Sequence, residues 1–152
     1  MRRREREIKT FENIEAIIRK ALVCRLGLAA DNEPYVVPLC FGYRERTVYL
    51  HSAPEGRKVE MLAKNPRVCL EFDIDQELIP GDEPCSCGMR YRSVIAFGKA
   101  SVVRDPVEKR GALDVIMEHY GGGLAPYPEG KIGHVLVIKV EIEQVTGKQA
   151  GY

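Results

Sequence analysis

The sequence predicts a mainly β protein, an antiparallel barrel with helices at its edges. Six or so segments are rich in β-branched and aromatic residues, and short connections with turn residues join most of them. Helical patterns occur only three times and do not alternate with strands as a doubly wound parallel sheet requires. With 152 residues, of which 45% are hydrophobic and 30% charged, the chain is expected to form a single domain over 1–152.

The first elements are expected to be a helix and a β-hairpin. Apolar residues follow the i, i+3, i+4, i+7 pattern from Ile14, and Thr10 can cap the resulting helix, predicted over about 11–20. The next three segments read as a strand, a turn with the sequence DNEP, and a second strand, at 22–30, 31–34 and 35–43.

The middle of the chain continues the sheet and adds a short helix. A third strand is predicted over Thr47–Ser52, and after the loop 53–56 a helix is predicted from Arg57 to about Lys64, ended by Asn65-Pro66. From Arg67 the residues alternate between apolar and polar, which is typical of a half-buried strand.

The last third is expected to contain a long loop, two strands and a helix. Gly, Pro, acidic residues and two cysteines over 75–88 favour a long loop, and strand character resumes over 90–103. Asp105 and Pro106 form an N-cap and first-turn pair for a helix through about Tyr120, which Gly121-Gly122-Gly123 ends. The final strand is predicted over about 134–146, followed by a polar tail.

Charge and hydropathy restrict the partners and the location. Twenty-three Lys and Arg against twenty-two Asp and Glu give a net charge of +1, too balanced for a protein that coats nucleic acid. The run RRRER falls in residues 1–9, which are expected to form a flexible basic arm. No apolar stretch approaches the roughly 20 residues that span a bilayer, and no signal-peptide core is evident, so a cytoplasmic protein without a membrane partner is expected.

The most informative motif is HSAPEGRK at 51–58. It places the Ser52 hydroxyl at a strand end, Gly56 in the loop, and two cations, Arg57 and Lys58, in the first turn of a helix. A helix N-terminus already carries partial positive charge, so these cations are unfavourable there unless a bound anion neutralises them. A phosphate would do so, because amide N–H groups, a hydroxyl and two cations are the donors it needs. The alternative is a solvated helix start with two surface charges.

A second motif is Pro38 within a run of strand residues. Proline cannot donate to a sheet ladder, so this strand is expected to be an edge or to be bulged there. Main-chain groups of 36–39 would then be free to contact a flat heterocycle. The alternative is that Pro38 only protects an edge strand from pairing with other chains and so from aggregation.

Four runs together carry a resemblance to a known family: PYVVPLCFGY, HSAPEGRK, NPRVCLEFD and YRSVIAFGKA. In their order along nearly the whole chain they resemble the pyridoxamine 5′-phosphate oxidase-related flavoproteins, in particular the branch that contains nitroimidazole-resistance proteins. The resemblance implies a six-stranded antiparallel split β-barrel that binds FMN, and a homodimer with two FMN sites at the subunit interface.

The resemblance also implies a set of cofactor residues at matched positions. The residues along the isoalloxazine ring would be Val36, Val37, Pro38 and Leu39. The residues that hold the phosphate would be Ser52, Arg57 and Lys58, beside Gly56. The residues that line the site or approach it from the second protomer would be Tyr91, Arg92 and Ser93.

His51 and the cysteines are weighed separately. In nitroimidazole-resistance relatives the histidine at this place faces the flavin-side pocket, so His51 is a candidate cofactor contact and proton donor to a reduced substrate. A merely packed or solvent-facing histidine is the alternative. The spacing of Cys85-Ser86-Cys87 is shorter than that of common zinc sites and no matching pair occurs elsewhere, so no metal is expected.

The function expected from this resemblance is that of an FMN-dependent oxidoreductase. It would pass electrons from a reduced nicotinamide to a small organic acceptor, in the manner of pyridoxamine-phosphate oxidases or nitroreductases. The absence of a catalytic triad does not oppose this expectation, since the cofactor supplies the difficult chemistry. The alternative is a non-catalytic module that stores or senses a flavin or haem, because a fold does not fix a function.

Overall fold

A computed structural model describes residues 2–123, 126–128 and 130–152. Within these residues the chain forms eight strands and three α-helices. The strands are β1 (Glu7–Ile8), β2 (Cys24–Ala30), β3 (Glu33–Leu39), β4 (Phe41–Arg44), β5 (Thr47–Ser52), β6 (Arg67–Ile79), β7 (Gly88–Val103) and β8 (Leu136–Ala150); the helices are α1 (Phe11–Lys20), α2 (Arg57–Lys64) and α3 (Pro106–His119).

The strands form one antiparallel sheet that is curled but not closed. Their order is β3-β2-β6-β7-β8-β5-β4, and β1 pairs with the end of β8. β3 and β4 lie at opposite edges of this order, yet only Cys40 separates them in the chain. The sheet must therefore curl until its two edges are adjacent, which leaves an open seam between β3 and β4. The predicted antiparallel split barrel is confirmed, with eight strands rather than six.

Two predicted elements differ from the structure. The single strand predicted over 35–43 is two strands, because the chain leaves one edge of the sheet at Leu39 and joins the other at Phe41. The long loop predicted over 75–88 is reduced to residues 80–87, because β6 and β7 continue as a hairpin in which Ile79 pairs with Gly88.

The two ends of the chain also carry more structure than predicted. Glu7 and Ile8 pair with Lys148 and Gly147 of β8, and Ile8 is buried, so the expected flexible arm over 1–9 includes two residues of the sheet. β8 extends beyond the predicted end at 146 because its last residues pair with both β1 and β7. The flexibility of residues 2–6 stays a prediction.

The core follows the alternation of the strands. On β6 the inward side chains, from Val68 to Ile74, are buried, and their outward neighbours are only half-buried. At α1 the Thr10 hydroxyl accepts a hydrogen bond from the backbone N–H of Asn13 at 3.4 Å, which confirms the predicted cap. The apolar stripe of this helix, Ile14, Ile17 and Ile18, covers the inner surface beside β6 and β7.

The C-terminal end of α3 holds the open seam together. The Tyr120 hydroxyl accepts from the backbone N–H of Phe41 at 3.0 Å and donates to the carbonyl of Leu22 at 2.7 Å. A ring nitrogen of His119 lies 2.7 Å from the carbonyl oxygen of Ala21. The start of β4 and the segment before β2 are thus joined through one helix end. No helix in the described part of the chain is both long and apolar enough to cross a membrane.

Candidate functional site

The N-terminus of α2 is built to leave donors free. Gly56 is the residue before the helix and has φ 114° and ψ 170°, a conformation that essentially only glycine adopts. No side chain caps this helix, and the backbone N–H groups of Val59 and Glu60 both donate to the Gly56 carbonyl. The backbone N–H groups of Arg57 and Lys58 have no intrahelical acceptor at this position. The start of α2 therefore presents uncapped amides beside two cations.

Lys58 is a half-buried cation that pairs with no carboxylate of the described residues. Burial lowers the pKa of its ammonium group from the usual value of 10.5. Among residues 2–123, 126–128 and 130–152, no carboxylate oxygen lies within 4.0 Å of its Nζ atom. A half-buried charge is unfavourable unless it is paired, so this ammonium suits an anionic ligand.

Arg57 connects the helix start to the edge strand β3. Its guanidinium lies 3.6 Å from a carboxylate oxygen of Glu33 and 4.9 Å from the centre of the Tyr35 ring. Because the Arg57 side chain is 55% exposed, the ion pair with Glu33 is weak and can be exchanged for a stronger one. No local sequence pattern marks Glu33 and Tyr35 as site residues, since only the fold brings them to α2.

Ser52 lies at the end of β5 and leads into the loop before α2. Its hydroxyl donates to the carbonyl of Ala53 at 2.8 Å. A ligand phosphate would have to replace this local bond to receive the hydroxyl proton. Ser52, Gly56, Arg57 and Lys58 are hereafter called the cradle.

The strand next to the cradle is an edge strand, as the sequence predicted from Pro38. β3 is the first strand in the sheet order, and among the described strands it pairs with β2 alone. Val36 and Pro38 point away from the core and are exposed, whereas Val37 and Leu39 are half-buried against it. An open strand edge therefore lies beside the cradle, whose hydrogen-bond donors and cations could bind an anion.

Residues 91–93 are not part of this arrangement within one chain. Ser52 pairs with Leu136 at the beginning of β8, whereas Arg92 pairs with Gln149 near its end. The thirteen-residue separation corresponds to roughly 40 Å along the strand at about 3.3 Å per residue. Contact of these residues with a ligand at the cradle would require a second copy of the chain.

The three residues also face two different sides of β7. Arg92 faces α1, where its guanidinium lies 2.6 Å from the Asp75 carboxylate and 3.9 Å from the centre of the Tyr152 ring. Because side chains alternate along a strand, Tyr91 and Ser93, the neighbours of Arg92, face the outer side of the sheet. Hydrogen bonding to Lys148 lowers the pKa of the Tyr91 phenol.

Asp75 holds the position of Arg92. It lies at a β-bulge between Ile74 and Glu77 and has φ 57°, in the left-handed region. Hydrogen bonds from Lys20, at 2.6 Å, and from Arg92 lower the pKa of the Asp75 carboxyl. Its carbonyl accepts a hydrogen bond from the Tyr152 hydroxyl.

His51 is on the opposite face of β5 from Ser52 and lines a separate cavity. This cavity has a volume of about 210 Å³, lies between β5 and α3, and is mostly apolar. Its other lining residues are Leu113, Ile116, Met117, Tyr127, Lys131, Ile132 and Val135. The sequence predicted His51 but not these walls, because they are remote from it along the chain.

The cysteines form no metal centre in the described residues. No group of three or more His, Cys, Asp or Glu side chains there is arranged to hold a metal ion. All five cysteines have free thiols, and Cys85 and Cys87 are exposed in the loop 80–87. Cys40 is exposed because it is the single residue that joins β3 to β4 across the seam.

The chain thus forms an antiparallel split barrel in which an uncapped helix start with two cations lies beside an open strand edge. Residues 11–149 match the family model described as pyridoxamine 5′-phosphate oxidase. The chain therefore belongs to the pyridoxamine 5′-phosphate oxidase family, which confirms the resemblance found in the sequence.

Solved structures support this assignment. A candidate 5-nitroimidazole antibiotic resistance protein from Bacteroides thetaiotaomicron is 42% identical over 94% of this chain and 86% of its own, with a TM-score of 0.84. An FAD-binding protein from Mesorhizobium loti is 27% identical, covers 96% of this chain and 98% of its own, and has a TM-score of 0.72. An FAD- and haem-binding protein from Mycobacterium smegmatis shares the fold, at 18% identity, coverages of 97% and 74%, and a TM-score of 0.86.

Proposed function

We propose that this protein binds a flavin, with FMN as the simplest cofactor, and uses it as an oxidoreductase. The observation that carries the proposal is the uncapped start of α2, where Lys58 is half-buried and no described carboxylate pairs with it, and where Arg57 contacts the edge strand β3. Similar structures described as FAD-binding support a flavin as the cofactor class. When bound, a flavin accepts and passes on electrons, which is chemistry that protein side chains do not supply.

The residues present fit the phosphate end of a flavin nucleotide. Lys58 and the first amides of α2 would neutralise and orient the phosphate, and Arg57 would exchange its weak pair with Glu33 for a charge-assisted bond. The Ser52 hydroxyl would add a further donor. Main-chain groups of Val36, Val37, Pro38 and Leu39, on the open edge of β3, would lie along the ring system.

The outer face of the sheet supports a homodimer. The register places Val36, Gly27, Cys69 and Phe97 in one row across four strands. Val36 is 62% exposed and Phe97 46%, so this row is an apolar strip in the single chain. Tyr91 and Ser93 lie on the same outer face, where a second copy could use them at its own cradle. The inward direction of Arg92 makes it the least favourable member of the predicted trio.

The cavity at His51 suits a small organic substrate. Its apolar walls would enclose the molecule, and the His51 imidazole and the Lys131 ammonium are the polar groups that would orient it. His51 would deliver a proton to the reduced product. We assign the electron donor to a reduced nicotinamide and the acceptor to a small organic molecule that enters this cavity.

The direct test is to identify what the purified protein carries and whether it can be reduced. Mass spectrometry of the small molecule released on denaturation is expected to find a flavin, and NADH or NADPH is expected to bleach the visible flavin absorption. A flavin that no nicotinamide reduces would favour the storage or sensor function instead. Release of haem alone, or of no ligand after incubation with flavins, would refute the proposal.

The cradle is tested by removing its two cations. The variant Arg57→Ala/Lys58→Ala is expected to weaken FMN binding roughly 100-fold or more, since each charge-assisted hydrogen bond contributes about 1.5–3 kcal/mol. The matched control Arg44→Ala/Lys64→Ala removes two exposed, ion-paired cations, one on β4 and one at the last residue of α2, and is expected to bind FMN normally. Equal losses in both variants, measured by fluorescence titration, would show that the anion site lies elsewhere.

A further inference from the structure

A cavity separate from the one at His51 lies under α1, far from the cradle along β8. It has a volume of about 280 Å³ and lies between α1 and the adjoining parts of β1, β6, β7 and β8. Ser52 of the cradle pairs with the first residue of β8, whereas Gln149 of this cavity is the last residue but one of that strand. The residues that line the cavity, called here the α1 cavity, are Ile8, Asn13, Ala16, Ile17, Lys20, Ile74, Asp75, Arg92 and Gln149.

The floor of the α1 cavity is aliphatic. Ile8, Ile17 and Ile74 line it, and each of them is at most 8% exposed. Ala16 and Lys20 lie on the same face of α1 as Ile17, because residues three or four positions apart in a helix are neighbours. The methyl group of Ala16 is too short to fill the space above the floor. A bound molecule would therefore gain most by placing an aliphatic group there.

The rim of the α1 cavity carries an excess of positive charge. The Asp75 carboxylate lies 2.6 Å from the Lys20 ammonium and 2.6 Å from the Arg92 guanidinium, so two cations share one carboxylate. In the part of the chain that the structure describes, no other carboxylate oxygen lies within 4.0 Å of either cation. The side chains of Asp75 and Arg92 are only 18% and 34% exposed, so water and salt screen this excess charge less than at an open surface.

Arg92 is the group best placed to bind an anion at this rim. A guanidinium has five N–H donors, and a nitrogen of Arg92 bonds to Asp75. The Tyr152 ring centre lies 3.9 Å from the guanidinium carbon, and the Tyr152 hydroxyl donates to the Asp75 carbonyl, so this ring restricts the orientation of Arg92. Asn13 and Gln149 add amide side chains, neither of which hydrogen-bonds to another described residue. The rim thus offers N–H donors from three side chains beside the excess positive charge.

A cationic rim above an aliphatic floor suits a small amphiphilic monoanion. We propose that the α1 cavity binds a short branched-chain carboxylic acid, with its carboxylate at Arg92 and Lys20 and its alkyl group on the floor. A carboxylate is the planar anion that a guanidinium can bind through two parallel hydrogen bonds. The volume is close to the lower limit of small-molecule sites, about 300 Å³, which favours a ligand much smaller than a flavin nucleotide. The site shares no residue with the cradle or the His51 cavity and is thus a second ligand site beyond the proposed flavin function.

The binding test uses 3-methylbutanoate as the probe and the full chain as it is purified. Binding is followed by the ¹H–¹⁵N shifts of the backbone amides, and saturable shifts are expected to centre on Asn13, Lys20, Arg92 and Gln149. The uncharged amide of the same acid is expected to bind at least roughly tenfold more weakly, because it lacks the charge. Acetate and inorganic phosphate, which lack the alkyl group, are expected to lose a similar factor. Equal binding of all four compounds, or shifts centred on another surface, would overturn the proposal.

Two variants with matched controls locate the ligand. Arg92→Gln removes the guanidinium and is expected to weaken binding of 3-methylbutanoate at least roughly tenfold. Its control Arg44→Gln removes another arginine with one carboxylate partner, Glu118, and is expected to bind normally. Ala16→Leu fills the space above the floor without changing the charge or the helix propensity and is expected to abolish binding. Its control Ala63→Leu makes the same change on α2, outside the α1 cavity.

Thermal unfolding at pH 7 checks that each variant is folded. Because Ala16→Leu leaves the ion pairs of Asp75 intact, it tests the site even if Arg92→Gln does not fold. Arg92→Lys keeps the charge but not the planar fork and is expected to bind with an affinity between those of wild type and Arg92→Gln. Wild-type affinity in Ala16→Leu, or equal losses in Ala16→Leu and Ala63→Leu, would show that the acid does not bind in the α1 cavity.

Discussion

Gly56 shows how a single residue fixes the start of α2. Its φ of 114° with ψ 170° is a region that other residues enter only at a cost of about 1–3 kcal/mol. An added Cβ atom would meet nothing within 4 Å, so the cost of Gly56→Ala is conformational rather than steric. We expect this variant to lower the free energy of unfolding by about 1–3 kcal/mol in urea denaturation.

The same substitution in α3 should act in the opposite direction. Gly111 lies inside the helix, and a Cβ atom there also meets nothing within 4 Å. Gly111→Ala is therefore expected to stabilise the protein by about 0.5–1 kcal/mol. If both variants destabilise the protein equally, strain at Gly56 is not the cause.

Asp75 gives a pH dependence whose sign follows from its partners. Lys20 and Arg92 hold its folded pKa below the unfolded value near 3.8. A depressed carboxyl pKa contributes stability above the unfolded pKa, and this contribution is lost as the pH falls through the folded pKa. We expect Asp75→Asn to lower the thermal midpoint at pH 7, with a difference from wild type that shrinks below about pH 3.8. A difference that is constant from pH 7 to pH 3 would contradict this.

The chemistry of the cradle could be predicted from the sequence because it is local. Ser52, Gly56, Arg57 and Lys58 occur within seven consecutive residues, and the unfavourable placement of two cations at a helix start is visible without a fold. The pairing of Asp75 with Arg92 could not be predicted, since it depends on a bulge that redirects one side chain.

Among the elements, α3 has the clearest structural task, which is to fasten the seam. Tyr120→Phe removes the hydroxyl that bridges Phe41 and Leu22 and is expected to lower the free energy of unfolding by about 1–3 kcal/mol. The Phe41 amide should then exchange its hydrogen faster. Tyr127→Phe removes a bond to Asp114 within the α3 region and should leave that exchange rate unchanged. Equal exchange in all three proteins would show that the seam does not depend on Tyr120.

Strand boundaries were predicted least well where tertiary pairing decides them. The sequence from 35 to 43 has continuous strand character, and nothing local shows that the chain changes sheet edge at Cys40. The acidic residues and glycines after position 75 indicate a loop, yet pairing with β7 extends β6 to Ile79. Helices were predicted closely because caps such as Thr10 and Asp105 act within one turn.

For the whole molecule, the apolar outer face predicts that two chains associate. The 17.1 kDa chain is expected to sediment at twice that mass, and Phe97→Lys, which puts a charge at the β7 end of the strip, is expected to yield monomers with weakened flavin binding. Val107→Lys is the control, since Val107 is 80% exposed on α3, away from the strip. Wild-type monomers that bind flavin fully would refute the dimer.

The architecture as a whole could be predicted in class but not in connectivity. The pattern of short strands and few helices was sufficient for an antiparallel barrel, and the order of four sequence runs was sufficient for the family. The open seam follows from a strand order that pairs residues far apart in the chain, such as Val94 with Gly147. The local pattern of apolar and polar residues does not indicate which distant residues pair.

The pairing of β1 with the end of β8 has a consequence for engineering. Residues 7 and 148 are neighbours in the sheet, so a short peptide could join the two ends of the chain, and new ends could be opened in the exposed loop 80–87. Such a circular permutant would keep every ladder of the sheet while moving its ends to the tip of the β6–β7 hairpin. A fluorescent tag fused there would sit away from the cradle of its own chain.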